Sequence, residues 1–228
     1  MTYWKNDPCL SLLAQHGREV SYRRGQLLYD IDTVATHLFL VTDGSFELCV
    51  PYEGTLGTIL DMAAPGSLAA EGEYFLQCQG EIRHTTIARA REPSCAIAIP
   101  YSVVAKLIAK EPMLLNTLAV QNATRQQTYI KQVQAASSMG VRERVEEKLG
   151  YLSTLENAMT HPEGIQIRYT RMDIARMVGA SRETVGRVLK DLVKEDQIST
   201  DGKTIVLFEE GCCLPAKCFD EPALENAA

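Results

Sequence analysis

Residues 181–190 read Ser-Arg-Glu-Thr-Val-Gly-Arg-Val-Leu-Lys, and they combine two hydrogen-bonding chemistries on one short stretch. A guanidinium offers two parallel donors that fit the O6/N7 edge of guanine, and a glutamate accepts from the N4 amine of cytosine. Arg182, Glu183 and Arg187 can therefore read the edges of G·C pairs if a helix aims them together. The spacing predicts that helix. At roughly 100° per residue, Val185, Val188, Leu189 and Leu192 fall on one apolar stripe. Arg182, Glu183, Gly186, Arg187 and Lys190 share the opposite face. Ser181 is a good N-cap, and Glu183 suits the positive helix end.

The flanking elements must position this helix. Upstream, Thr170 and Asp173 have capping-box spacing, with Asp in place of the usual Glu. Ile174, Met177 and Val178 form an apolar stripe, Ala175 is small where two helices would cross, and Gly179 suits a left-handed C-cap. Helix, three-residue turn and helix make a helix-turn-helix, whose second helix enters the major groove. Downstream, residues 198–207 read as two short strands around Asp201-Gly202, a wing with Lys203 at its tip, where it could meet a phosphate. The bland alternative is an amphipathic hairpin with a solvated charged face. Local charge weighs against it: residues 168–190 hold six basic side chains (Arg168, Arg171, Arg176, Arg182, Arg187, Lys190) and two acidic ones, in a chain of net charge −6. Phosphate contact needs a basic patch of this kind.

A chain of 228 residues, 46% hydrophobic and 23% charged, suits one large or two modest domains with a true core. No apolar run approaches 18 residues, so no membrane span is expected. The first residues lack the apolar core of a signal peptide, and the seven cysteines are odd in number, so reduced thiols and a cytoplasmic location are expected. There is no phosphate-binding loop and no nucleophile elbow, and an enzyme is not expected.

Residues from about 18 to 100 read as β-structure. The segments 37–42 and 45–50 flank Asp43-Gly44, a hairpin signal. Further strands are expected at 57–62, 84–90 and 95–99, which together argue for a sandwich or jelly roll. Glu111-Pro112 starts a new helix, and residues 113–136 hold no Gly or Pro. A helix that long needs a partner, and a parallel two-fold mate would supply one. Residues 137–140 read as a hinge, residues 141–155 as a further helix, and 156–164 as a loop. The domain plan is then a β-roll over 1–100, a long dimerisation helix over 101–137, a winged helix-turn-helix over 138–210 and a tail over 211–228.

This order, with the strings at 159–167, 178–187 and 202–206, resembles the cyclic-AMP receptor protein branch of the Crp/Fnr regulators over residues 18–208. The implied fold is α+β: an N-terminal cyclic-nucleotide-binding-like β-roll (a jelly roll, or double-stranded β-helix), a long dimerisation helix and a C-terminal winged helix-turn-helix. The resemblance implies a homodimer that regulates transcription on a TGTGA-like palindrome in double-stranded DNA. Arg182, Glu183 and Arg187 would read bases, and Arg171, Ser181, Lys203 and Lys190 would meet phosphates. Met172 departs from the polar residue the family often has. Thr160, His161 and Gly164 match a loop that touches RNA polymerase, although Pro162 and Gly164 also suit a plain turn.

The effector pocket departs furthest. The family's Gly-Glu-x-Gly turn reads Ala70-Glu71-Gly72-Glu73, so Glu71 keeps the ribose position while the flanking glycines are lost or displaced. The Arg-Ser pair for the cyclic phosphate becomes Arg83-His84-Thr85 in an uncertain register. The two positions that face the adenine become Tyr129 and Ile130. An adenine amine left unpaired there would cost about 1–3 kcal/mol, or ten- to a hundredfold in affinity. Cyclic AMP is therefore not expected in the usual pose, and no cofactor is assigned. Another cyclic nucleotide remains open, as does haem on Cys78 or His84. A salt bridge between Glu71 and Arg83 in an emptied pocket is the structural alternative. An iron–sulfur cluster would need grouped N-terminal cysteines, and only Cys9 is there. Cys212, Cys213 and Cys218 read as a reduced tail, with no metal site. The rival function is a small-molecule, haem or redox sensor whose helix-turn-helix serves as a protein-interaction surface.

Overall fold

A computed structural model describes residues 3–51, 57–155 and 158–208. Two compact units make up the chain, Met1–Gln132 and Val133–Ala228.

The first unit begins with helix α1 (Pro8–Gln15), whose N-cap Asp7 accepts from the amides of Cys9 and Leu10. Eight strands follow: β1 (Arg18–Tyr22), β2 (Leu27–Tyr29), β3 (His37–Asp43), β4 (Phe46–Val50), β5 (Thr58–Ala63), β6 (Leu68–Ala69), β7 (Ile87–Ala90) and β8 (Ser94–Pro100). Helix α2 (Glu71–Leu76) interrupts them after β6. They form two antiparallel four-stranded sheets of order β1-β8-β3-β6 and β2-β7-β4-β5. Between the sheets lies a core of Leu28, Tyr29, Val41, Phe46, Leu48 and a set of alanines (Ala63, Ala69, Ala88, Ala90, Ala96). The strand expected at 84–90 starts only at Ile87. Before it, Arg83 makes one isolated bridge to Val34, and His84 is buried in a loop.

The stretch 101–137, given to one helix in the domain plan, holds α3 (Tyr101–Lys110) and α4 (Met113–Ser138), divided at Glu111-Pro112 where a new helix was expected to start. Glu111 between them is extended (φ −132°, ψ 85°), as the residue before Pro112 must be to avoid the proline ring. Leu107, Leu114 and Leu118 are buried with Leu10, Leu13, Leu38, Leu40, Ile97 and Ile99, so the helices cover the outer face of the first sheet.

The second unit is built from helices α5 (Val141–Ser153), α6 (Arg171–Val178) and α7 (Arg182–Lys194) and one sheet. Its strands β9 (Met159–His161), β10 (Gly164–Arg168), β11 (Ile198–Asp201) and β12 (Thr204–Phe208) are ordered β11-β12-β10-β9. Val145, Leu149 and Leu152 of α5, Ile174 and Met177 of α6, and Val185, Leu189 and Leu192 of α7 are buried where the three helices pack on one another. Arg144 donates to the carbonyls of Met139 (2.9 Å) and Val178 (3.1 Å), so one side chain holds two helix ends within this unit. The expected tail, with Cys212, Cys213 and Cys218, lies outside the described residues.

Candidate nucleic-acid interface and the β-roll site

Local caps fix the helix-turn-helix. Thr170 Oγ1 accepts from Asp173 N (3.1 Å) while Asp173 Oδ2 accepts from Thr170 N (2.8 Å), so the capping box closes in both directions. Gly179 ends α6 at φ 63°, ψ 44°, where glycine avoids the Cβ penalty. Ser181 Oγ then accepts from Thr184 N at 3.1 Å and starts α7. The turn therefore sets the entry of α7, and burial of Val185, Leu189 and Leu192 sets its rotation.

That rotation brings Arg182, Glu183, Gly186, Arg187 and Lys190 together with Arg171 and Ser181 around one shallow open cleft. The four cations and Glu183 are all exposed. Among the described residues, neither these side chains nor Lys203 have a hydrogen-bond or ion-pair partner. Elsewhere in the unit, two groups of charges pair among themselves. Arg142 forks onto Glu195 (2.9 and 2.5 Å) and reaches Glu146 (2.7 Å), and Lys194 meets Asp191 (3.0 Å). Arg168 and Arg176, counted in the basic patch from sequence, each have an interaction of their own. The face thus carries four free cations and one free carboxylate, the donor and acceptor set that groove edges and phosphates require.

Lys203 is exposed in the turn between β11 and β12, beside Gly202 at φ 58°. Met172 is exposed next to Arg171. Thr160 lies exposed on β9 opposite Ile165, and His161 Nδ1 accepts from Glu163 N at 3.2 Å across the tight turn. Gly164 is buried at φ 150°, and a Cβ there would stand 1.9 Å from the Leu207 carbonyl, so the sheet itself demands glycine.

The roll site is arranged differently from the expectation. Glu71, only 1% exposed, is bonded through Oε1 to Arg125 Nη1 of α4, not to Arg83. Arg83 lies at the surface, on Glu81 (2.7 Å) and the Asp32 carbonyl (2.7 Å). His84 is buried, stacks on Tyr29 (centroids 3.9 Å apart) and bonds Glu73 through Nδ1 (3.0 Å). Thr85 is exposed, and Ile130 points outward at 50% exposure, so neither joins the site. Tyr129 is half-buried, and Gly72 sits beside Asn122. Cys78 is exposed, with its Sγ on the Phe75 carbonyl (3.5 Å), whereas His84 is buried. Among the described residues, no group of three or more His, Cys, Asp or Glu is placed to hold a metal ion.

Sequence reasoning missed Arg125 and Asp61. Arg125 Nε donates to Asp61 Oδ2 (2.9 Å) and Nη2 to the Leu68 carbonyl (2.7 Å). Burial works against the Arg125 charge, but Glu71 and Asp61 outweigh it and raise its pKa. Burial likewise lifts Glu71 above the usual carboxylate range, more than Arg125 lowers it, and its Oε2 is buried without a hydrogen bond. Tyr129, desolvated beside the cluster, is pushed up to about 12. The signal was present in the chain. Leu114, Leu118, Gln121, Arg125, Tyr129 and Gln132 recur at steps of three and four, which puts polar residues on the inward stripe of α4.

Two family descriptions match: a cyclic nucleotide-binding domain over residues 19–111 and a Crp-like helix-turn-helix domain over residues 143–210. The fold and the cleft on α7 thus define a transcription regulator that binds DNA through a helix-turn-helix. The chain is 36% identical over 203 residues to the cAMP-activated global transcriptional regulator CRP of Pasteurella multocida, covering 89% of this chain and 95% of that one. It is 34% identical over 205 residues to CRP of Escherichia coli, at 90% and 96% coverage. The solved structure of the c-di-GMP responsive global regulator CLP of Xanthomonas campestris superposes with a TM-score of 0.81 at 26% identity, covering 88% of this chain and 98% of that one. This chain belongs to the Crp/Fnr family. No helix among the described residues is long and apolar enough to cross a membrane.

Proposed function

We propose that the chain acts in the cytoplasm as a homodimer that reads a TGTGA-like palindrome through Arg182, Glu183 and Arg187. Arg171, Ser181, Lys190 and Lys203 hold the phosphates. The observation that carries this reading is the cleft on α7, where every charge is exposed and unpaired, whereas Arg142, Glu146, Asp191, Lys194 and Glu195 off the face are paired with one another. The dimer reading is supported by α4, whose outer side exposes Met113, Leu115, Val120, Ile130 and Val133, apolar area that a two-fold mate would cover. Thr160, His161 and Gly164, on the β9–β10 hairpin, are the proposed polymerase contact.

Cyclic AMP, which activates the two named relatives, does not bind here in the usual pose. A cyclic phosphate needs a free cation, and the site offers Arg125 already neutralised, with Asp61, Glu71 and Glu73 around it. Like charges at such distances are repelled strongly when water is excluded.

Fluorescence anisotropy on a labelled TGTGA palindrome, with random DNA as control, tests the function. Arg182→Ala is expected to lose about 1–3 kcal/mol on the palindrome alone. An equal loss on both DNAs would mean that Arg182 contacts only phosphate. Calorimetry against cyclic AMP, cyclic GMP and cyclic di-GMP tests the effector; binding of cyclic AMP at micromolar Kd would refute the altered response.

A further inference from the structure

The inward stripe of α4 changes character along its length. Leu114 and Leu118 are buried in the core, and the next turns of the stripe, about three from Gln121 to Gln132, are polar. Each polar group there except Tyr129 is bonded to the second half of the roll. Gln121 accepts from Leu68 N (2.7 Å) and donates to the Gly66 carbonyl (3.1 Å). Gln132 donates to the Leu60 carbonyl on β5 (2.5 Å). Between them Arg125 commits all three of its nitrogens, one each to Asp61, Glu71 and the Leu68 carbonyl. Asp61 is itself fixed, because its Oδ1 accepts from Met62 N at 2.8 Å and leaves Oδ2 aimed at Arg125.

Resting on the effector reading above, we propose that Asp61 is an internal anion. It satisfies the one cation that α4 brings to the roll, holds residues 121–132 of α4 against β5 and β6 without a ligand, and excludes phosphate-bearing ligands. The chemistry favours this assignment. A guanidinium fork binds carboxylate and phosphate with the same geometry, so the two compete for the same donors. A tethered carboxylate competes at an effective concentration that a free ligand does not reach. Removing the Asp61 charge while keeping its shape leaves Arg125 Nε with at most a neutral acceptor in place of a carboxylate and takes one negative charge from the site. Glu71 Oε2, buried with no partner, then offers an acceptor to a ligand hydroxyl. Asp61 is thus a specificity-determining residue, and Arg125 the group it positions.

The test compares the full-length protein with Asp61→Asn, using cyclic AMP as the probe and two readouts. Calorimetry is expected to give no binding up to millimolar cyclic AMP for the unaltered chain and a measurable Kd below 1 mM for Asp61→Asn. Hydrogen exchange at amides 125–132 is expected to be at least tenfold faster in ligand-free Asp61→Asn and to slow again with cyclic AMP. Asp61→Glu should restore slow exchange and refuse the ligand, which a merely structural role for Asp61 would not require. Asp61→Ser is the second neutral variant if Asn perturbs folding. Unchanged exchange in both neutral variants, or equal cyclic-AMP affinity with and without the Asp61 charge, would overturn the proposal. Neither readout involves DNA, so failure of operator binding by α7 would strike the proposed function and leave this assignment standing.

Discussion

Glu71 and Ala70 show how single residues carry the tension in this fold. Ala70 sits in the left-handed region (φ 64°), which costs a residue with a Cβ about 1–2 kcal/mol, and Tyr101 Oη donates to its carbonyl at 2.7 Å. Beside it Glu71 is ionisable, buried and bonded through one oxygen only. Because burial raises its pKa above the ordinary 4.5, protonation favours the native state. Its contribution is therefore fully present below about pH 4.5 and is lost as pH rises through the raised native value. Denaturant unfolding at pH 4, 5.5 and 7 should show the stability of the unaltered chain falling relative to Glu71→Gln as pH rises. If the unaltered chain instead gained stability relative to Glu71→Gln as pH rises, Arg125 would outweigh burial. The turn that carries Glu71 was legible in the sequence, but the partner of its carboxylate was not. Arg83 is close in sequence to the pocket motif, whereas Arg125 lies 54 residues from Glu71, and only helix rotation reveals it.

At the scale of elements, what was legible followed from local rules. The capping box, the glycine C-cap, the N-cap serine and the 3.6-residue stripe are short-range devices, and the helix-turn-helix was readable almost to the residue. The 84–90 segment was less readable. His84 gives its backbone N–H to the Thr33 carbonyl (2.9 Å) and its own carbonyl accepts from Asp32 N (2.9 Å), so its pairing goes to a loop rather than a strand, while its ring stacks on Tyr29. Gly186 illustrates an element whose local rule is broken. Glycine inside a helix costs about 1 kcal/mol against alanine, and a Cβ there would meet nothing closer than Arg171 Cδ, at 3.8 Å. Packing alone therefore does not require it. Gly186→Ala is expected to raise the unfolding free energy by about 0.5–1 kcal/mol, since α7 gains propensity without a clash. If α7 approaches DNA as proposed, the same variant should weaken palindrome binding. A variant that is both more stable and equally tight on DNA would show that the α7 backbone keeps its distance from the bases.

For the molecule as a whole, charge is sorted by what surrounds it. The chain is at −6, yet a group of unpartnered cations from α6 and α7 lines one cleft, and the buried cation of the roll is neutralised from within. Net charge therefore says little about partners, and distribution decides. A dimer built on α4 would present two copies of the α7 face, and two-fold symmetry requires half-sites about 34 Å, or one helical turn, apart on B-DNA. Inserting about half a turn, roughly five base pairs, puts the second half-site on the opposite side of the duplex. Anisotropy titration on the lengthened palindrome should then fall to the affinity of a single half-site, while an insertion of a full turn should recover part of the loss. The salt slope should fall with it, because one set of phosphate contacts by Arg171, Lys190 and Lys203 is lost. Equal binding to all three spacings would mean that each α7 acts alone, and that the apolar outer side of α4 is covered by something other than a second copy of this chain.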